Sequence, residues 1–197
     1  MATQYENEIR SRSRWHYLKG LLIRWWTNLK HERARRIARR NGATIGQAVV
    51  MPLSLARRAN ANLVVGDHVS IQTDRLDLRN PVHIGSHVII GHETEIITTS
   101  HHIDSPDFEH KNYGISIDDY VWIPTRVLIL PSCRHIGRGA VVSSGSVVVR
   151  NVDPMSVVGG NPAQEFKRRQ QVHSDLVVES LLGGDFEAYR EARKGSF

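Results

Sequence analysis

Two hydrophobic periods divide the chain. Over residues 5–40, Leu18, Leu21, Leu22, Trp25 and Leu29 recur at three- and four-residue spacing, while Arg24, Lys30, Arg33, Arg36 and Arg40 occupy much of the rest. This spacing predicts a basic amphipathic helix, bent or divided at Gly20, whose apolar face packs against the body of the protein or another subunit. From residue 41 the helical period disappears and short aliphatic pulses replace it. They read IGQAVV (45–50), VGDHVS (65–70), IGSHVI (84–89), IGHETE (90–95), IDDYVW (117–122), IPTRVL (123–128), IGRGAV (136–141), VSSGSV (142–147) and VVRNVD (148–153).

A period of six has a mechanical meaning. One short strand and a tight corner consume about six residues, so three units make one triangular turn of a repeat architecture. The first aliphatic residue of each unit, such as Ile84, Ile90, Ile117 or Ile136, is expected to point into a narrow core. Glycine at the second position is expected to supply corner dihedrals that a side chain resists. Stacked turns then bury what each neighbour exposes. Two irregularities interrupt the count. The polar, turn-rich stretch 98–114 between Ile96 and Ile117 is expected to project as a loop. Between Ile129 and Ile136 the spacing is seven, which predicts a bulge over Ser132 to His135.

Residues 165–197 return to helical character and are expected to form a helical cap over the open end of the stack, whose strand edges would otherwise stay unpaired. The expected organisation is therefore an N-terminal basic helical segment (1–40), a repeat domain (41–164) with its projecting loop, and a C-terminal helical segment (165–197).

Charge sharpens this division. The formal net charge is +6, yet residues 1–40 hold eleven Lys/Arg against three Asp/Glu, and the remainder holds fifteen against seventeen. A uniformly basic nucleic-acid binder is excluded on that distribution, and no nucleic-acid partner is expected. Hydrophobic residues at 40% exclude wholesale disorder. The single cysteine, Cys133, excludes a disulfide framework and a Cys-rich zinc site. No apolar run approaches the roughly 20 residues of a membrane span, and the N-terminus does not read as a secretory signal, so a cytoplasmic setting is expected.

The ordered combination of hexads, SHHIDSPDFE, ISIDDYVWI, IGRGAVVSSGSVV and VVGGNPAQEFKRR resembles the hexapeptide-repeat acyltransferases, nearest to sugar O-acetyltransferases of the maltose, galactoside and colanic-acid type. The resemblance covers about residues 60–170. It implies a mainly β fold, a left-handed parallel β-helix built from hexapeptide repeats. It also implies acetyl-CoA as acyl donor, no metal, a carbohydrate acceptor from surface-polysaccharide or glycolipid synthesis, and a homotrimer with active sites between subunits.

Acetyl transfer to an alcohol needs a base, and histidine suits that near neutral pH. On the family pattern the catalytic histidine falls on His101, in Thr99-Ser100-His101; His102 follows it where many relatives carry Pro or Asp. Asp104 or Asp107 is the candidate for orienting the imidazole. On the donor side the pattern places Trp122 beside the pantetheine groove, with Thr125, Ser144 and Gly145 offering backbone contacts. Pro124 stands where relatives usually have Gly, and Gln164 where they usually carry a basic residue. Lys167 first and Arg168 second are then the candidates for the nucleotide phosphate. Asp74 and Asp77, in a segment that departs from the hexads, are candidates for sugar hydroxyls or for turn capping.

Two other readings are weighed against this one. Eight of the eleven histidines fall between residues 68 and 135, and His87 and His92 are five apart, which invites a zinc hydratase resembling the gamma-class carbonic anhydrases. That family's ligand spacing is not reproduced, however. A non-catalytic scaffold would instead act through its basic helix, with tryptophans and arginines at a peripheral anionic membrane surface.

Overall fold

The computed structural model describes residues 3–193, so residues 1–2 and 194–197 of the two terminal segments lie outside the described residues. Two helices open the chain, α1 (Gln4–Arg10) and α2 (Arg14–Arg40). The break falls at residues 11–13, not at Gly20. Ser13 caps α2 there by accepting the His16 N–H, which satisfies a donor the helix cannot. Gly20 sits inside α2 for a packing reason: a Cβ at this position would collide with the phenol of Tyr189.

The face α2 buries differs from the one its apolar spacing predicts. Tyr17, Gly20, Ala34, Arg35 and Ala38 are buried, and several of them are small enough for close approach to the following elements. Leu18, Leu22, Trp25 and Leu29 are instead 42–57% exposed. Of the predicted stripe, Leu21 packs against the cluster of Ile9, Tyr17 and Tyr189, and the other four residues point away from the body of the protein.

Beyond α2, short strands rotate through three parallel sheets. Sheet I contains β1 (Thr44–Ile45), β2 (Leu63–Val65), β4 (Val82–Ile84), β9 (Ile115–Ile117) and β12 (His135–Ile136). Sheet II contains β3 (Ser70–Ile71), β5 (Ile89–Ile90), β10 (Trp122–Ile123), β13 (Val141–Val142), β15 (Ser156–Gly160) and β16 (Ala163–Arg168). Sheet III contains β6 (Glu95–Ile96), β11 (Leu128–Ile129) and β14 (Val147–Val148). The strands β4, β5 and β6 visit sheets I, II and III in turn, as do β9, β10 and β11, then β12, β13 and β14. The register keeps equivalent hexad positions level: Ile117 lies between Ile84 and Ile136, and Trp122 between Ile89 and Val141.

The hexad has two inward positions. The first residues, including Ile84, Ile90, Ile117, Ile123 and Ile136, are buried, and so are fifth-position residues such as Val49, Val69, Val88, Val121 and Val127. Glycine at position two plays a different part from the one its chemistry suggests. The left-handed corner residue is the fourth, and it is usually not glycine: Ala48, His68, His87, Glu93, Tyr120 and Arg126 all have φ between 49° and 62°. Where position two is glycine, the next coil lies against it. A Cβ on Gly91 would stand 2.6 Å from the Pro124 carbonyl carbon, and one on Gly85 would stand 2.7 Å from the Asp119 nitrogen.

The seven-residue spacing is absorbed at a turn slightly ahead of the expected Ser132–His135 bulge, and His135 already belongs to β12. A turn at Pro131–Ser132, closed by the Cys133 N–H to the Leu130 carbonyl at 2.9 Å, absorbs the extra residue before β12.

The C-terminal segment departs from the expected cap. Residues 163–168 form β16, which runs antiparallel to β15 and covers the sheet II edge with a strand. Beyond it lie a 3-10 turn (Val178–Leu182) and α4 (Phe186–Glu191), with α3 (Leu53–Arg58) earlier in the chain. The turn packs on β3 and α4 on α2, so the segment folds back along the molecule toward its first coils. Its anchor is Asp185, 1% exposed, which accepts Arg24 Nε at 3.0 Å and the Tyr5 hydroxyl at 2.5 Å. Tyr189 stacks on Tyr17 with ring centroids 5.2 Å apart, under the Arg24 guanidinium. Burial and the hydrogen bond to Asp185 push the Tyr5 phenol above its ordinary value.

Two outcomes follow from this packing. Gly91→Ala forces backbone apart between coils and should cost about 1–3 kcal/mol in urea unfolding, with unchanged stability refuting the close stacking. His31, whose Nε2 lies 3.2 Å from the Leu182 carbonyl, is held below its ordinary value of 6.5, chiefly by burial. A neutral imidazole is therefore the folded form, and its contribution is complete above pH 6.5 and declines as acid protonates it. Thermal denaturation between pH 7.5 and 5 should show that decline flattened in His31→Gln.

Candidate active site

The long insertion leaves the stack between β6 and β9, at the corner joining sheets III and I, and forms an antiparallel hairpin of β7 (Thr99–His101) and β8 (His110–Asn112). Buried polar groups fasten its base. Asn80, 8% exposed, donates to the Thr98 carbonyl at 3.1 Å and to Thr99 Oγ1 at 2.9 Å. Asp77 accepts the Thr98 N–H at 3.1 Å and both Nε and Nη2 of Arg79 at 2.8 and 2.9 Å. Burial opposes ionisation of Asp77, but those hydrogen bonds outweigh it and hold the carboxyl well below the usual range. Both Asp77 oxygens are thus occupied in the turn, whereas Asp74 accepts Arg58 through its carbonyl only.

At the hairpin tip, His101 Nδ1 lies 2.7 Å from the Phe108 carbonyl oxygen. A carbonyl only accepts, so Nδ1 carries the proton and the Nε2 lone pair is free. Phe108 adopts φ of 48° to aim that carbonyl, and its ring stacks on His101 at 4.4 Å, with His110 tilted against the other imidazole contact at 4.5 Å. The orienting group is therefore a main-chain carbonyl. Asp104 and Asp107, considered for that task from sequence, are exposed, and neither is hydrogen-bonded to His101. The His102 ring is exposed without a hydrogen-bonded partner among the described residues, and its backbone N–H pairs with the Glu109 carbonyl. A concavity of about 480 Å³ beside the hairpin is lined by Ser100, His101, Asp104, Glu109, Lys111 and Tyr113.

The second group of candidates meets at another corner, between sheets II and III. Thr125 Oγ1 donates to the His92 carbonyl at 2.8 Å, and the Gly145 N–H to the Thr125 carbonyl at 3.2 Å. Gly145 has φ of 73°, but Glu93 and Arg126 hold the same corner position with side chains. Around Gly145 nothing lies within 4 Å of where a Cβ would stand, so its smallness leaves open surface over backbone. Ser144 is exposed there, and Ser146 is buried, accepting the Gly160 N–H at 3.1 Å. Pro124 replaces the usual glycine without breaking the corner, since its carbonyl accepts Thr94 Oγ1 at 2.6 Å.

Trp122 stands on the outer face of sheet II, 49% exposed. Lys167 lies on β16 opposite Val157 and has no ion-pair partner among the described residues. Arg168 is engaged with the Pro154 carbonyl at 2.8 Å and with Glu165 at 3.5 Å. Gln164, opposite Gly159, is nearer the Gly145 corner, and Lys167 lies about 10 Å further along the strand.

One chain does not bring the two groups together: the His101 hairpin leaves the III–I corner, and Thr125, Ser144 and Gly145 occupy the II–III corner. Sequence reasoning missed Asn80, Phe108 and His110. Asn80 was legible only as a polar residue in an irregular segment, and a backbone carbonyl leaves no side-chain signal. The zinc reading finds no support in the geometry. His87 is stacked between His68 and Tyr120 at the I–II corner, His92 is at the II–III corner, and no three His, Cys, Asp or Glu side chains converge among the described residues. Cys133 is buried, which pushes its thiol up to about 11, so it supplies no thiolate nucleophile.

With its stack of hexads, a histidine hairpin at one corner and an open glycine corner at another, the chain is similar in sequence to curated acetyltransferases and shares its fold with a hexapeptide-repeat acetyltransferase of known structure. No family model matches it. An Escherichia coli protein named for colanic acid biosynthesis acetyltransfer is 28% identical over 156 residues, covering 79% of this chain and 85% of that one. A Schizosaccharomyces pombe acetyltransferase is 33% identical over 91 residues, and the match spans 42% of its length. A galactoside acetyltransferase solved with coenzyme A shares the fold, at TM-score 0.53 and 20% identity, over 84% of this chain and 83% of that one.

The hairpin anchor is open to test. Asn80→Ala removes the donor to Thr99 Oγ1 and one of the two donors to the Thr98 carbonyl, which keeps the Tyr113 N–H, and should cost about 1–3 kcal/mol. Hydrogen exchange of residues 99–112 should accelerate more than that of the coils; equal protection would contradict the anchoring role.

Proposed function

We propose that the chain transfers an acetyl group from acetyl-CoA to a hydroxyl of a carbohydrate, of the kind built into surface polysaccharides or glycolipids. The reading rests on its similarity to acetyltransferases and on one observation above others, the Phe108 carbonyl that leaves His101 Nε2 as a free base. The three-sheet stack is read as a left-handed β-helix spanning residues 41–164, with the flanking segments 1–40 and 165–197 as additions.

The acceptor lies in the concavity beside the hairpin, where His101 Nε2 removes its proton as the oxygen attacks the thioester carbonyl. Backbone N–H groups stabilise the tetrahedral oxyanion. Collapse breaks the C–S bond, and the imidazolium returns its proton to the departing coenzyme A thiolate. The pantetheine arm lies over the Thr125, Ser144 and Gly145 corner against Trp122, and Lys167, unpaired and displaced along β16, meets a nucleotide phosphate, with Arg168 second.

Because these two corners are apart in one chain, the complete site forms between neighbouring copies in a homotrimer. The outward row of Ile89, Trp122, Val141 and Val157 supports this, since it gives sheet II an apolar outer face for a partner to cover.

Thiol release from acetyl-CoA with candidate sugars reads the reaction directly. His101→Ala should lose on the order of 10²–10⁴ in rate while His102→Ala retains most of it. Full activity in His101→Ala would refute the assignment of the base.

A further inference from the structure

The outer face of α2 remains without a partner in the fold. Residues Trp15, Leu18, Leu22, Trp25, Trp26 and Leu29 lie opposite the face that packs on the protein, each between 42% and 74% exposed. At 100° per residue, Arg33, Arg36 and Arg40 continue the same line over the last turns of the helix. The result is one straight face with two halves, tryptophan and leucine first and arginine second. Lys19 and Lys30 flank it and are exposed. Within α2 the only carboxylate is Glu32, already bonded to Arg35 at 2.6 Å and to Arg36 at 3.0 Å. Arg33 and Arg40 have no ion-pair partner among the described residues.

From this arrangement we infer that α2 docks the protein on an anionic lipid surface, lying in the plane of the headgroups. Charge complementarity selects this occupant. A second copy offered in parallel would set arginine against arginine. An antiparallel copy would set arginine against tryptophan, with no free carboxylate on either helix to answer it. A bilayer surface supplies both things the face lacks: acyl and interfacial depth for the indoles and leucines, and phosphates for the guanidinium groups. Leu29, Glu32, Arg33, Arg36, Ile37 and Arg40 line a shallow concavity of about 380 Å³, in which three arginines face the single carboxylate of Glu32. Docking here is peripheral, because no helix among the described residues is long and apolar enough to cross a membrane.

Vesicle flotation with the full chain tests the inference. Phosphatidylcholine vesicles containing phosphatidylglycerol should carry the protein at low salt and release it as salt screens the charges, while pure phosphatidylcholine should bind far less. The variant R33Q/R36Q/R40Q should bind on the order of 100-fold more weakly, at roughly a fivefold factor per arginine. Its thermal stability and its acetyl-CoA turnover with a soluble acceptor should stay unchanged, which separates this inference from the proposed activity. Tryptophan emission should shift to the blue on binding and lose that shift in W25S/W26S. Equal binding to neutral and anionic vesicles, undiminished binding by the arginine variant, or no binding to either would overturn it. So would a change of oligomeric state in L22E/W25E by light scattering, because a second copy would then be what covers the face.

Discussion

Everything in this protein is subordinate to the distance between one coil and the next. Parallel backbone hydrogen bonds hold equivalent hexad positions level, as in the Ile90 ladder where the Gly91 N–H meets the Ile123 carbonyl at 2.7 Å. At that separation the second hexad position touches the backbone of the coil beside it, which is why Gly46, Gly66, Gly85, Gly91 and Gly137 cannot carry a Cβ without something moving. The fourth position takes the left-handed turn and faces outward, so it tolerates histidine, glutamate, tyrosine and arginine despite its positive φ. Positions one and five fill a core too narrow for anything but aliphatic and small residues.

That economy determines where chemistry is able to reside. The interior is full, and the strands from β1 to β14 are two or three residues long, each paired on one or both sides. Polar function is left to the corners and to insertions that depart from them. The His101 hairpin leaves at one corner, fastened by Asn80 and Asp77 from the irregular segment just before β4, and the open backbone around Gly145 occupies another. A rigid stack thus carries a base on a loop whose root is buried and hydrogen-bonded, so the imidazole inherits the precision of the coils at a distance from them.

The repeats were legible because period six is a property of backbone geometry and survives changes of residue type. The projecting loop and the seven-residue corner were legible for the same reason, as failures of the count. His101 was visible through motif order, but its tautomer depends on the Phe108 carbonyl, which no side chain announces. The glycines were assigned to the corner because glycine favours positive φ, whereas here a steric limit between coils governs them. The C-terminal FKRR was read as helix since its composition suits one; β16 formed because the last parallel strand offered an unpaired edge to be covered. Periodicity on α2 marked the face of Leu18, Leu22, Trp25 and Leu29. Packing selected the one with Gly20, Ala34 and Ala38, since small residues allow the helix closest to the coils, and the larger apolar side chains were turned outward.

This choice of face also divides the N-terminal charge into two populations. Arg24 is spent on buried Asp185, Arg35 on Glu32 and the Val49 carbonyl, and Arg39 on the carbonyls of Ile45 and Gly46. Arg24 ties the helix to the C-terminal segment, while Arg35 and Arg39 close it onto the first coil by satisfying carbonyls there, as a guanidinium does well with its several donors. Lys19, Lys30, Arg33 and Arg40 have no such duty among the described residues and stand on or beside the outer face. A local excess of positive charge therefore has two physical origins, internal neutralisation of the fold and a free surface field, and only the second is available to a partner.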